Sequence, residues 1–508
     1  MKKLLLGAAI SAVMLSNAAN AAIPVVGGKP QFNAANTSYV FLSGASAARK
    51  FIEKLFADTG EICDAGTTVF KYKDNINGKK QNAYLCELNP TLGATKPNLL
   101  IYKRSEGGSA QGVSPVIAGT AIEFLQIPGV SRSGLSNVGA GSCGTVDANN
   151  NITCDYNLSS KYSKIIPDFG VSDVDPGQFT GVNTPAGFSP VSAADLALLT
   201  VKPTAALTFG VPVTVSLRNA LQAAQLGSAC VGSETKACMP SLSKYQIASI
   251  HTGKLTSWTD FRVGNSDLVS LADAADRPGN NRVHICRRVK GSGTQAQHGI
   301  NFLNYPCADA ATPPVPGNNF PEGVPATQVH ALSSSGDVTD CLNELETATN
   351  ASNGFNNLYT AGGKRWAIGI QSLEKKSDYF RFVKIGGVAP TLENVANGTY
   401  TDWAELTFQY NNDHFATLSS DVATIATDVI ESLGNPTVLA SLNSGFVHSF
   451  GASGYLAVPQ FNTVAANAKL DLTAPVNPYS HGTSTAAINN CRVPTVFGSQ
   501  LNIDVLAP

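Results

Sequence analysis

Charge is scarce in this chain. Only 14% of the 508 residues are Asp, Glu, Lys or Arg, and 36 acidic against 35 basic side chains leave a net charge of -1. So even a balance offers no sustained electropositive stripe, which argues against nucleic acid as a partner. Past the N-terminus, no apolar run reaches the roughly 20 residues that a membrane-spanning helix requires, so the chain is not read as membrane-embedded. There is no G-x-S-x-G elbow, no C-x-x-C, and no His at zinc-ligand intervals from a Cys. Those absences count against a serine hydrolase of the nucleophile-elbow type and against a metal cluster. Long repeats and low-complexity linkers are missing too. Apolar residues, by contrast, make up 43%, enough for two or more lobes each with its own core.

The N-terminus reads as a segment that is removed. Lys2 and Lys3 precede an apolar run from Leu4 to Leu15, and Ala19-Asn20-Ala21 has the small-x-small form of a cleavage site. This is the pattern of a secretory signal peptide over 1–21, with no Cys at the cleavage point to carry a bacterial lipid anchor. The mature chain is expected in a Gram-negative periplasm or secreted. Ten cysteines follow, an even number that in an exported chain reads as disulfides. Cys143 with Cys154, Cys230 with Cys238, and Cys63 with Cys86 are the expected pairs; the pairing of Cys286, Cys307, Cys341 and Cys491 stays open.

Strands alternate with helices through most of the length. Tyr39–Leu42, Asn98–Tyr102, Val283–Ile285, Trp366–Ile370 and Phe382–Ile385 read as strands, Ala206–Val215 as one long strand or two joined at Pro212, and Ile165–Ile166 as a short apolar run ahead of Asp168. Phe51, Ile52, Leu55 and Phe56 make one face of a helix, Val116–Leu125 reads as helical, and Val422–Leu433 is a C-terminal helix. The pattern predicts an α/β fold with largely parallel sheets. Residues 128–165 are rich in Gly, Ser and Asn and read as a surface excursion. Within it Gly139-x-Gly141-x-x-Gly144 matches a dinucleotide-binding spacing, but turn sequence comes next where a helix is needed.

The most informative stretch is Arg287-Arg288-Val289-Lys290-Gly291-Ser292-Gly293-Thr294. A strand precedes it, and Ala296, Ile300 and Leu303 recur after it at helical spacing. The first turn of a helix leaves N–H groups without intrahelical partners and carries partial positive charge, which suits an oxyanion. Ser292 and Thr294 add hydroxyls, Arg288 adds a planar fork of donors, and the glycines allow close backbone approach. The same residues also serve as an ordinary helix cap after a glycine turn. Asp173, after Asp168-Phe169-Gly170-Val171-Ser172, reads either as a helix cap or as a polar site residue.

Ordered along the chain, these segments resemble one family, the periplasmic phosphate-binding proteins that serve phosphate ABC importers. The matching pieces are Ser43-Gly44-Ala45-Ser46-Ala47, Gly108-Ser109, Asp168 to Asp173, Ile247 to Trp258, Arg288-x-x-Gly-Ser-Gly-Thr294, Gly336-Asp337-Val338, Ala367-Ile368-Gly369 and Gly387 to Val395. The resemblance implies a two-lobed fold of the type 2 periplasmic binding protein kind, with two mixed, mostly parallel sheets flanked by helices and a hinge between the lobes. It divides the chain into 22–205 as the N-terminal part of lobe 1, 206–384 as lobe 2 and 385–508 as the C-terminal part of lobe 1. It also implies a monomeric binding protein, not an enzyme, without cofactor or metal, that holds inorganic phosphate or a related tetrahedral oxyanion in the inter-lobe cleft and hands it to an ABC permease. Ser46, Ser109, Asp173, Arg288, Ser292, Gly293 and Thr294 are the residues it puts against the anion.

Two departures from the family pattern stand out. Lys290 occupies the place two residues after the Arg where an acid is usual, and Ala48 and Arg49 hold the first-loop positions of a Thr and a Phe. Arg104, just before Ser109, is a further candidate. The extra sequence at roughly 60–98, 125–165 and after 455 lies outside the resemblance. Competing functions are a secreted phosphate-ester hydrolase, with His298 or the Asp168, Asp173 and Asp175 group as its chemistry, and an extracellular scavenging or adhesion protein without a permease.

Overall fold

A computed structural model describes residues 22–76, 78–157, 159–317, 327–349, 363–464, 469–482 and 487–498. The signal peptide expected over 1–21 lies outside the described residues. The main strands in chain order are β1 (Thr37–Gly44), β2 (Phe70–Asp74), β3 (Gln81–Glu87), β4 (Asn98–Arg104), β5 (Asn151–Cys154), β6 (Phe169–Ser172), β7 (Leu199–Thr214), β8 (His284–Arg288), β9 (Gln328–Leu332), β10 (Ala367–Gly369), β11 (Phe380–Ile385) and β12 (Trp403–Asn411).

Alternation along β1 explains why this strand is apolar throughout. Val40 and Leu42 enter one core, Tyr39 and Phe41 another on the opposite face, and β4 repeats the pattern with Leu99 and Ile101 against Leu100 and Tyr102. β1 pairs in parallel with both β4 and β6. It ends at Gly44, whose φ of +117° and 2.0 Å gap between a built Cβ and the Val171 carbonyl admit no side chain.

The strands join in the order β9-β8-β10-β7-β12-β6-β1-β4-β3-β2-β5 within one mixed sheet of 15 strands. β7 is the reason the two expected sheets are continuous. Its first part pairs antiparallel with β12 and its last residues pair antiparallel with β11. Leu207 and Phe209 pack in the first core, whereas Val211 and Val213 pack in a second core with Ile285 and Val383. One strand therefore threads two hydrophobic centres. The mixed α/β class is as the sequence predicts; antiparallel pairing is more prominent than expected because β7 meets its neighbours that way.

Three helices begin near the site, α1 (Arg49–Asp58), α2 (Gly293–His298) and α3 (Ser335–Thr347), and α4 (Ser420–Ser432) packs Val422, Ile425 and Val429 into the first core. Phe51, Ile52, Leu55 and Phe56 are the buried face of α1, as their spacing predicts. The segment 116–125 is not one helix: a helix over Ser114–Ala118 stops at left-handed Gly119, and Ile122–Phe124 is a strand. Residues 128–150 lie at the surface as expected, exposed or half-buried throughout, and the chain then enters β5, which pairs with β2 at the sheet edge.

All ten cysteines are paired. Cys63–Cys86, Cys143–Cys154 and Cys230–Cys238 form as expected, and Cys286–Cys341 and Cys307–Cys491 complete the set. No described helix is long and apolar enough to cross a membrane.

Candidate functional site

The strand ends β1, β4, β6 and β8 deliver their succeeding loops to one place. β8 carries Arg288 to its C-terminal end, and the chain turns through left-handed Gly291 into α2. Ser292 is the N-cap, accepting from the Gln295 amide at 3.3 Å. Gly293 is required by its neighbours: a Cβ there would lie 2.5 Å from Ser109 Oγ and 2.8 Å from Asp173 Cβ. Thr294 Oγ1 donates to Asp173 Oδ2 at 3.1 Å, and the Asp173 amide donates to Ser109 Oγ at 3.2 Å.

Arg288 spends its donors on three groups. Nη1 donates to Ser46 Oγ at 2.7 Å, Nη2 to the Ser333 carbonyl at 2.7 Å, and Nε to the Leu332 carbonyl at 3.1 Å. Ser46 in turn accepts from the Ser335 amide at 3.2 Å, in the first turn of α3. Ser334 and Asp337 close a capping box there, so α3 is held rigidly at that end. The seven residues singled out from sequence are thus brought together, and all are buried. They belong to segments from both sides of the crossing on β7.

Electrostatics at the site are set by burial. Burial pushes the Asp173 carboxyl up to about 6, against the opposing pull of Arg288 and of hydrogen bonds from Thr294 and Ser109. Its Oδ1 is buried with no hydrogen-bond partner among the described residues. Burial lowers Arg288 to about 10, with Asp173 and Asp337 acting to restore it. One cation escapes a reading of the sequence: Lys103 of β4 is fully buried, and its Nζ donates toward the carbonyls of Gly44, Ala45 and Arg104 and toward Ser105 Oγ. Burial brings it down to about 7, opposed first by Asp173. Ser335 escapes it too, although Ser334-x-x-Asp337 is a capping signature.

Other candidates sit elsewhere or do other work. Lys290 is exposed, and the guanidinium that an acid there would orient is instead oriented by two backbone carbonyls. Arg49 donates to the Gly78 carbonyl. The α1 first-turn amides of Lys50 and Phe51 donate to Glu374 Oε2 at 3.2 and 3.3 Å, so that helix start is already occupied by a carboxylate. Arg104 is drawn off by the Glu106 carbonyl and Gln111. His298 is not on a helix surface: it is buried against His251, ring centroids 4.1 Å apart, and burial holds it well below its usual value. Asp168 pairs with Arg132 through both oxygens, and Asp175 caps a short helical turn. The three aspartates therefore face different partners, and no group of metal-binding side chains occurs among the described residues.

No family model and no curated protein matches the chain. Among solved structures it is similar to a phosphate ABC transporter substrate-binding protein with bound phosphate from Clostridium perfringens, at 15% identity and TM-score 0.39, over 80% of this chain and 98% of that one. An ABC-type phosphate transport receptor from Vibrio cholerae matches at 12% identity and TM-score 0.35, over 77% and 93%. A high-affinity periplasmic phosphate-binding protein bound with phosphate matches at 12% identity and TM-score 0.39, over 82% and 90%.

Proposed function

We propose that this chain is an exported solute-binding protein that takes one tetrahedral oxyanion, monohydrogen phosphate foremost, between two lobes and presents it to an ABC permease. The lobes are 22–205 with 385–508, and 206–384. One observation carries the reading: a fully buried aspartate, Asp173, keeps one oxygen without a partner beside a buried guanidinium and the starts of α2 and α3.

The chemistry follows from what each group is able to do. Arg288, the Ser and Thr hydroxyls and helix-start amides donate to anionic oxygens, in a region dry enough that few donors suffice. An ionised Asp173 only accepts, so it welcomes the proton on a P–OH group and repels the fully deprotonated sulfate. Calorimetric titration with phosphate, sulfate and phosphonates tests this directly. Phosphate is expected to bind and sulfate to be rejected; Asp173→Asn, which adds a donor, is expected to narrow the gap by about tenfold or more. Equal discrimination in the variant removes Asp173 from the role.

A further inference from the structure

The longest-range covalent link in the molecule lies beside this site. Cys307 comes after α2 and its π-helical continuation Gly299–Leu303, and it is joined to Cys491, 184 residues later, with Cα atoms 5.1 Å apart. Cys491 stands next to Asn490, whose amide group is built into the loop after Asp173. The Asp175 amide donates to Asn490 Oδ1 at 2.6 Å, and the Asn490 amide donates back to Asp175 Oδ2 at 2.8 Å. Asn490 Nδ2 reaches Glu405 Oε2 at 3.1 Å.

Glu405 anchors the rest of the segment. It accepts from Ser480 Oγ at 3.0 Å and the His481 amide at 2.8 Å, and its Oε2 meets His481 Nδ1 at 2.7 Å. Glu405 lies on β12, which pairs with β6, the strand leading to Asp173. The partners on the other side come from the α2 continuation: Tyr305 Oη, two residues before Cys307, accepts from the Val182 amide at 2.8 Å. Asp175, Glu405, His481 and Asn490 are all buried. Such a dense set of charge-bearing hydrogen bonds is a rigid mount, because each buried group left unpaired carries a desolvation penalty.

We propose that this C-terminal segment is a positioning strap for the anion site: Asn490 holds the Asp173 loop in its binding geometry, and the Cys307–Cys491 bridge limits how far the two lobes part. This rests on the two-lobe binding reading above. A hinged binder free to open fully spends binding energy on closure, whereas a tethered one starts nearer its closed form. The Cys307–Cys491 bridge therefore acts on the dissociation rate and the opening amplitude, whereas Asn490 acts on the placement of Asp173 against the anion.

The test uses the full mature chain and inorganic phosphate, with small-angle scattering and stopped-flow binding. Cys307→Ser/Cys491→Ser is expected to give a larger radius of gyration without phosphate than the parent protein, and about tenfold faster phosphate release. Identical scattering and release from a variant with parental circular dichroism overturns the tether. Asn490→Ala, which keeps the disulfide, is expected to lower the phosphate-over-sulfate ratio about tenfold with scattering unchanged; an unchanged ratio overturns the positioning role, and this arm decides if the double variant does not fold. Should the parent protein bind no tetrahedral anion, the binding reading fails, while the scattering comparison still judges the tether.

Discussion

The starts of α1 and α2 both come after turns of small residues and end up chemically opposite. Each comes after a buried strand and a short turn of small residues, Ser43-Gly44-Ala45-Ser46 in one case and Gly291-Ser292-Gly293-Thr294 in the other. At α1 the N-cap is Ala48, which offers no side-chain acceptor, and Glu374 fills the place, accepting from two first-turn amides while sitting 2.8 Å from Lys375 Nζ. At α2 the cap is Ser292 from within, and opposite it stand Ser109 and the half-satisfied carboxylate of Asp173. A helix start is thus open or closed to an anion according to the groups that the rest of the chain brings to it, which a motif by itself cannot express.

Removing Glu374 is the strongest way to break that contrast. Glu374→Ala uncaps α1 and leaves Lys375 buried without its counter-charge; the contact between them is a close ion pair without aligned hydrogen-bond geometry, and burial already lowers Lys375 to about 8 with Glu374 opposing that shift. Loss of one member of a buried pair costs about 3–5 kcal/mol, read as a lower urea midpoint at constant slope. A change below about 1 kcal/mol means that Glu374 is not what closes α1. Arg288→Met comes next, on the open side. It removes the guanidinium together with its hydrogen bonds to Ser46 Oγ and to the Leu332 and Ser333 carbonyls, so phosphate affinity is expected to fall at least a hundredfold, about 3 kcal/mol, by calorimetry.

How far the sequence reveals the site depends on which interactions are local. Ser292, Gly293 and Thr294 come after a strand and open a helix within eight residues of Arg287, so hydrophobic period and turn chemistry find them. Lys103 reads as part of a turn because the apolar run stops at Tyr102; parallel pairing with β1 carries β4 on to Arg104 and supplies the carbonyls that make a buried lysine tolerable. Glu374 caps α1 from more than 320 residues away, and no local pattern marks it. The same holds for Cys307 and Cys491, whose pairing depends on how the tail crosses the fold, whereas the three short-range disulfides are legible from spacing.

The pH response sharpens the open side further. Because burial raises Asp173 to about 6, its acid form grows as pH falls through that value and turns an acceptor into a donor. Sulfate binding is therefore expected to strengthen several-fold between pH 7.5 and about pH 5, relative to phosphate, and to stay flat in Asp173→Asn. A flat profile in the parent protein assigns the discrimination to another group.

Lys290 gives the smallest expected effect and the finest test of the comparison. If the family pattern applied literally, an acid at this position would steady the arginine, and Lys290→Glu would repair a defect. Here the arginine is already fixed by the Leu332 and Ser333 carbonyls, and the Lys290 side chain is exposed. What remains is a solvent-screened change from a positive to a negative charge, which at physiological salt weakens anion affinity by about twofold. The association rate carries most of that change and its salt dependence, because an exposed charge steers approach more than it holds the bound anion. A tighter complex in Lys290→Glu means that the guanidinium needs a carboxylate as well as the two carbonyls, and that the anion site proposed at α2 lacks one of its parts.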